Sequence, residues 1–170
     1  MCGIIGWSSI LNELDKGLFY QSTDTLIHRG PEACGYFFNE QNTVAFGHRR
    51  LKIIDLSEAS AQPFYSQCGR YVIVFNGEIY NYKEIAKELD LKLNTSGDTE
   101  VIIEAFAKIG TECFTLLNGI FAFAIYDIRE DKIYLCRDRV GIKPLFYYFN
   151  GNQFIFASEI KAIKKLINKK

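Results

Sequence analysis

Residues 119–127 read GIFAFAIYD. Apolar side chains run through this stretch almost without a break, and large aromatic and β-branched residues dominate it. Such a run, too short for a long helix and lacking polar alternation, is expected to be a strand covered on both faces. The segments around it extend the picture. KIYLCRD (132–138), PLFYYFN (144–150) and QFIFAS (153–158) follow as further strands, and EIKAIKKLI (159–167) closes the chain as a short helix. Upstream, RYVIVFNG (70–77) carries a β-branched run that ends in the turn-forming pair Asn76-Gly77, so the strand is expected to stop there. Runs of strands separated by runs of helices, without strict alternation, argue for an α+β fold with two packed sheets and helices outside.

The remaining elements fit this class. Gly3 to Ser8 is short and apolar and reads as the first strand, and Leu11 to Ile27 reads as partly helical. Cys34–Asn39 and Thr43–Arg49 flank the turn-like NEQN and read as a hairpin. NYKEIAKELD (81–90) places Ile85, Ala86 and Leu89 at helical spacing. SGDTEVIIEAFAKIG (96–110) reads as a complete helix. Asp98 is its candidate N-cap, Glu100 lies in its first turn, Gly110 ends it, and Val101, Ile102, Ala105, Phe106 and Ile109 form its apolar stripe.

Composition narrows the function classes. The 170 residues are 48% hydrophobic and 24% charged, the balance of a globular domain with a sizeable core. Lys plus Arg equals Asp plus Glu at 20 each, so no global field points to nucleic acid or a membrane surface. The lysines of KAIKKLINKK read as a solvated helix face. No apolar run reaches the roughly 18 residues of a membrane span, and the first residues do not resemble a signal peptide. Five cysteines (2, 34, 68, 113 and 136) form no CxxC pair, and with two histidines they give no zinc-ligand spacing. Reduced thiols, no metal and a cytoplasmic location are therefore expected.

Four stretches could carry chemistry. The first is MCGIIGW, where Cys2 directly follows the initiator methionine. Taken alone, Cys2 is most simply an inert thiol. If Met1 is removed, Cys2 carries a thiol and a free α-amine, whose ordinary pKa of about 7.7–8.0 lets it take the thiol proton without a histidine. The second is FNGEIYN (75–81). Its Asn76 side-chain amide and Gly77 N–H are adjacent donors suited to an oxyanion, although Asn-Gly is also an ordinary turn. The third is GHRRLKIIDL (47–56), in which Arg49 or Arg50 could hold a carboxylate. Neighbouring strand residues point to opposite faces, so at most one of the two would reach a given site. The fourth is Asp98, which could bind a substrate ammonium, cap its helix, or do both.

Taken together, MCGIIG, IHRGPE, GHRRLKIIDL, QPF, FNGEIYN, SGDTEVI, GIFAFAIYD, RDRVGIKPLFYY and FASEIKAI fall in order along nearly the whole chain. In this combination the chain resembles the glutaminase domain of class II glutamine amidotransferases, which are N-terminal nucleophile hydrolases. Within that family it most resembles the N-terminal half of glutamine-hydrolysing asparagine synthetases. The resemblance implies a four-layer αββα sandwich and hydrolysis of L-glutamine to glutamate and ammonia through a γ-glutamyl thioester. By position it implies Cys2 as nucleophile with its own α-amine as base, and Asn76 and Gly77 as oxyanion donors. Arg50 would hold the substrate α-carboxylate, near backbone groups of Ile53 and Ile54. Glu78 and Asp98 would receive the α-ammonium, and Arg29 with Gly30 would shape a loop over the pocket. One departure is visible, since the family's HRGPD reads HRGPE here with Glu32.

The resemblance also implies a partner. No Ser-Gly-Gly-Xaa-Asp-Ser loop and no Walker A sequence occurs in these residues, so ATP and magnesium are expected in a synthetase domain and no cofactor in this one. Residues 1–170 are thus expected to be a single glutaminase domain lacking its C-terminal synthetase domain. The alternatives are a stand-alone glutaminase serving a separate synthetase, or a catalytically silent regulatory or interaction domain of the same fold. In the two-domain arrangement GIFAFAIYD and RDRVGIKPLFYY would face the synthetase; left bare, that face is compatible with a homodimer.

Overall fold

A computed structural model describes residues 1–11, 13–51 and 61–167. The chain divides into two compact units, Met1–Leu51 with Pro144–Lys170, and Lys52–Lys143.

The first unit contains β1 (Gly3–Ser9), α1 (Lys16–Asp24), β2 (Ala33–Phe38), β3 (Val44–Arg50), and, from the far end of the chain, β8 (Phe146–Phe149), β9 (Gln153–Ala157) and α5 (Ile160–Ile167). Its antiparallel sheet has the order β2-β3-β1-β9-β8. β1 is thus the central strand, held by β3 from Gly3↔Arg49 to Ser8↔Val44 and by β9 from Ile5↔Ala157 to Ser9↔Gln153. The expected β2–β3 hairpin forms, and the Asn39 side chain fastens its turn by accepting from the N–H groups of Thr43 and Val44. Asp15 caps α1 by accepting from Leu18 N–H at 3.0 Å. The core joins Ile5, Trp7 and Ala45 of the sheet to Phe19 of α1 and to Ala162, Ile163 and Leu166 of α5. These three residues of α5 are buried while Lys161, Lys164 and Lys165 stay exposed, so the lysines are a solvated helix face as read above.

The second unit contains β4 (Phe64–Tyr65), β5 (Tyr71–Ile79), α2 (Tyr82–Glu88), α3 (Asp98–Ile109), α4 (Cys113–Leu116), β6 (Gly119–Asp127) and β7 (Lys132–Arg137). Its antiparallel sheet runs β4-β5-β6-β7. Ile73, Phe75 and Ile79 of β5 and Phe121, Phe123 and Ile125 of β6 pack against Val101, Ile102, Ala105 and Phe106 of α3. Each large apolar side chain fully buried in this way contributes about 1.5–3 kcal/mol relative to exposure. Ala122, Ala124 and Tyr126, which alternate with these residues, are buried too, as the unbroken apolar run of residues 119–127 predicts.

Two local expectations are corrected. β5 does not stop at Asn76-Gly77 but continues to Ile79, paired with β6 along its length from Tyr71↔Asp127 to Ile79↔Gly119. A turn there would leave the first residues of β6 without a partner, and the ladder outweighs the local turn preference of Asn-Gly. Gly77 serves close approach instead, since a Cβ at this position would lie 2.3 Å from Ile120 O and 2.6 Å from Phe121 Cα. The second correction concerns α3, whose N-cap is Gly97, with Asp98 as its first helical residue. The Asp98 carboxylate bonds to β5 rather than capping through its side chain. The expected end at Gly110 is observed, with φ of 63°.

Candidate active site

In the first unit, Cys2 lies immediately before the central strand and is half-buried. Its sulfur sits against the main chain of Leu51, whose N–H donates to Sγ at 3.4 Å, while the thiol reaches Leu51 O at 3.5 Å. The Cys2 carbonyl accepts from Arg29 Nε at 3.0 Å. Arg29 ends a 3₁₀ turn, Ile27–Arg29, and the following Gly30 lies flat on the end of β3. A Cβ on Gly30 would come within 2.4 Å of Arg49 C and O, so glycine is what lets the RGP turn reach this corner. Glu32 N–H then donates to Arg50 O at 3.2 Å. Cys2, Arg29, Gly30 and Arg50, named separately from the sequence, are therefore neighbours through the end of β3. Ile53 and Ile54 lie outside the described residues.

The two arginines of β3 lie in different surroundings. Arg49 is ion-paired with Asp24 of α1. Arg50 is buried, 6% exposed. Arg49 thus already has a protein carboxylate as partner, and Arg50 is the arginine that the sequence resemblance assigns to a ligand carboxylate.

In the second unit, Asn76, Gly77, Glu78 and Asp98 come together at the end of β5. Strand alternation puts Asn76 and Glu78 on the face opposite Phe75 and Ile79, which belong to the α3-side core. Asn76 is 1% exposed, and among the described residues its Nδ2 has no hydrogen-bond partner. Such an orphaned buried amide is rare and points to a missing partner.

The Gly77 N–H can be traced from the ladder. Tyr80 N–H donates to Asn118 O just beyond the last β5–β6 pair, and antiparallel pairs alternate between bonded and unbonded. The N–H groups of Phe75, Gly77 and Ile79 therefore point away from β6. Pairing with β4 reaches only Ile73, so beyond it this edge of β5 has no strand partner among the described residues. Phe75 N–H is taken by Gln62 Oε1 at 2.6 Å and Ile79 N–H by Asp98 Oδ2 at 3.0 Å. Between them, Gly77 N–H has no acceptor among the described residues. Two adjacent unspent donors thus arise from the continued strand, not from a turn.

Burial pushes the Asp98 carboxyl up to about 6, and the Glu78 charge adds to this. Backbone donors at Ile79, Asp98 and Thr99 partly oppose the rise. Glu100, two residues further on in the same turn, folds back to accept from Asn94 N–H, Thr95 N–H, the Thr95 hydroxyl and Gln67 Nε2, fastening residues 94–95 against the helix start.

Sequence reading missed Leu51 and Glu159. Glu159 Oε1 accepts from Arg29 Nη1 at 3.1 Å across 130 positions of chain. No local pattern announces a contact of that separation, and a main-chain contact such as Leu51's leaves no mark in side-chain identity.

Comparison with known proteins gives a consistent picture. Residues 1–170 match the family described as a glutamine amidotransferase domain. The putative asparagine synthetase (glutamine-hydrolyzing) 2 of Methanocaldococcus jannaschii is 40% identical over 188 residues, covering 100% of this chain and 36% of that protein. Asparagine synthetase (glutamine-hydrolyzing) 3 of Bacillus subtilis is 39% identical, covering 96% of this chain and 27% of its own length. The corresponding figures for asparagine synthetase B of Escherichia coli are 37%, 96% and 30%. The chain therefore spans about a third of the length of these curated relatives. Among solved structures, the glutamine phosphoribosylpyrophosphate amidotransferase from B. subtilis complexed with ADP and GMP superposes with a TM-score of 0.82 at 22% identity, covering 97% of this chain and 43% of that one. This likeness bears out the N-terminal nucleophile hydrolase fold class.

Proposed function

Because this chain belongs to the glutamine amidotransferase domain family, we propose that it hydrolyses L-glutamine and supplies the ammonia to an ATP-dependent amidation of the asparagine synthetase type. Cys2 is the nucleophile once Met1 has been removed. Its α-amine takes the thiol proton, and the thiolate attacks the carboxamide carbon. The oxygen that becomes negative is received by Asn76 Nδ2 and Gly77 N–H. The amine returns its proton to the nitrogen, ammonia leaves, and a γ-glutamyl thioester remains. Water, giving a proton to the same amine, then cleaves the thioester to glutamate. The observation that carries this reading is the pair of unspent donors on adjacent residues, Asn76 and Gly77, the donor types that acyl chemistry needs.

Arg50 binds the substrate α-carboxylate, with Ile53 and Ile54 close by, and Glu78 with Asp98 binds the α-ammonium. Arg29 and Gly30 shape the adjoining turn. ATP and magnesium belong to the synthetase partner, fused or separate, and this domain uses neither. A cytoplasmic setting accords with five free cysteines. No helix among the described residues is long and apolar enough to cross a membrane.

The deciding experiment incubates the chain, its first residue established by mass, with L-glutamine and measures glutamate and ammonia. Equimolar release is expected; none from a correctly processed chain would leave a silent domain of the same fold. Two predictions refine the site. Arg50→Ala should raise KM for glutamine by about 10- to 100-fold, the worth of a charge-assisted fork, with kcat less affected. An unchanged KM would move carboxylate recognition elsewhere.

The second concerns pH. Asp98 titrates near 6 in the free fold, so it loses the charge that binds an ammonium as pH falls through that value. The Cys2 amine already imposes one proton on kcat/KM below its own pKa, so the slope of log kcat/KM against pH should steepen from one to two below about 6. Asp98→Asn should raise KM and keep a slope of one. Stability moves the other way. Between the ordinary carboxylate range and about 6 the folded state holds a proton that the unfolded chain has lost, so the Asp98 contribution falls as pH rises through that window. Asp98→Asn is therefore expected to melt no lower than the unaltered chain at neutral pH.

A further inference from the structure

The segment FASEIKAI (156–163) has no role in the chemistry above, yet it grips the start of the chain twice. Ser158, fully buried, accepts from Ile4 N–H through Oγ at 3.0 Å and donates its own N–H to Ile4 O at 2.9 Å. Glu159, the next residue, holds Arg29, and Arg29 holds the Cys2 carbonyl. We propose that Glu159 is a positioning residue for the Cys2 nucleophile, acting through Arg29. This inference rests on the glutaminase reading of the same site.

Three side chains meet the Glu159 carboxylate, with His28 Nε2 at 2.9 Å, Arg29 Nη1 at 3.1 Å and Lys161 Nζ at 3.1 Å. Burial raises its pKa, but the hydrogen bonds from His28, Lys161 and Arg29 outweigh this and bring it to about 2. It is therefore a carboxylate throughout the working range. The partners are not equal. The side chains of His28 and Lys161 are each 51% exposed, and ion pairs in water are worth little. Arg29 is 9% exposed, so its pair with Glu159 is shielded, and its Nε faces the chain start.

The geometry explains why a carbonyl contact matters to an amine and a sulfur. Three heavy groups leave Cys2 Cα: the carbonyl carbon, the Sγ-bearing Cβ and the nitrogen. Arg29 fixes the first, and the main chain of Leu51 fixes the sulfur. With two directions set, the tetrahedral carbon sets the third, so the direction of the amine follows from the other two. Without Glu159 the guanidinium loses its counter-charge and is free to turn to water, and the Cys2 peptide plane is released with it.

The test uses the processed full chain. Glu159→Ala should lower kcat for glutamate release by about 10- to 100-fold, the scale of a misplacement near 1 Å, with KM for glutamine within about twofold. The double variant Arg29→Ala/Glu159→Ala should lose no more than Arg29→Ala alone, because both substitutions free one carbonyl. If Glu159→Ala does not fold, Glu159→Gln keeps the shape and a neutral acceptor and should show a smaller fall in kcat at unchanged KM. A separate readout needs no glutamine: iodoacetamide labelling of Cys2 at neutral pH, followed by peptide mass, should slow about tenfold in Glu159→Ala, in line with the loss in kcat. A kcat and labelling rate within about twofold of the unaltered chain, or additive losses in the double variant, would overturn the proposal. Absence of glutamate release from the unaltered chain would sink the glutaminase reading instead, and the labelling comparison would still decide the clamp.

Discussion

Cys2→Ala is expected to cut glutamate release to background, about 10⁴-fold or more, while leaving the fold and its melting temperature nearly unchanged. The two halves of this result have separate causes. Loss of activity follows because the proposed thioester forms on the Cys2 sulfur; removing that nucleophile leaves only what the oxyanion donors and binding contribute. Retention of the fold follows from how the chain start is held. β1 is set by pairing with β3 and β9, and Cys2 itself is tied through its carbonyl to Arg29, a contact the side chain does not share. The sulfur's own contacts with Leu51, at 3.4 and 3.5 Å, are weak hydrogen bonds whose removal costs about 1 kcal/mol or less. A coupled glutamate assay beside a thermal melt reads both halves. Substantial turnover by the alanine variant would remove Cys2 from the mechanism. A chain that keeps Met1 should behave like the variant, since its Cys2 nitrogen is an amide and accepts no proton.

Asn76→Ala should lower kcat by about 10²- to 10³-fold, the usual effect of losing one oxyanion donor, with KM little changed. The stability expectation is unusual for a buried polar residue. Truncating a satisfied buried amide strands its partner and destabilises, whereas Asn76 Nδ2 has no partner to strand among the described residues. The melting temperature should therefore hold or rise. Asn76→Asp separates charge from shape: nearly isosteric, it puts an acceptor where a donor is needed and repels the developing oxyanion, so it should be at least as inactive as the alanine variant. A marked loss of stability with kcat intact would make Asn76 a structural residue.

How far the site could be read in advance depended on the range of the interactions. The strand at 119–127 was legible because burial on both faces leaves an unbroken apolar run, and its observed bounds coincide with that run. The helix from Asp98 to Ile109 was legible from its apolar period and its closing glycine. Asn76-Gly77 was the instructive failure, since local turn chemistry argued for an end to the strand. Nine residues of β6 supplied a partner for every residue of β5, and the strand continued. Asp98 misled in the same way: a carboxylate at a helix start suits capping, but Ile79 N–H, left open where β4 ends, claimed it. Both times a long-range hydrogen-bond donor or acceptor outbid a local preference.

The order of residues along the chain determined the kinds of chemistry at hand: a thiol beside the chain start, an amide next to a glycine, an arginine pair, and an acid at a helix start. It also determined the two sheets, because the period of apolar side chains is a local property. Folding decided which of these groups are spent. Asp24 occupies Arg49, and Asp98 is bonded to the edge of β5. Nothing among the described residues takes Asn76 Nδ2, and Glu159, 130 positions from Arg29, steadies the arginine that holds Cys2. A hydrogen bond is satisfied or left open according to which atoms come within about 3 Å, and chain separation carries no record of that distance.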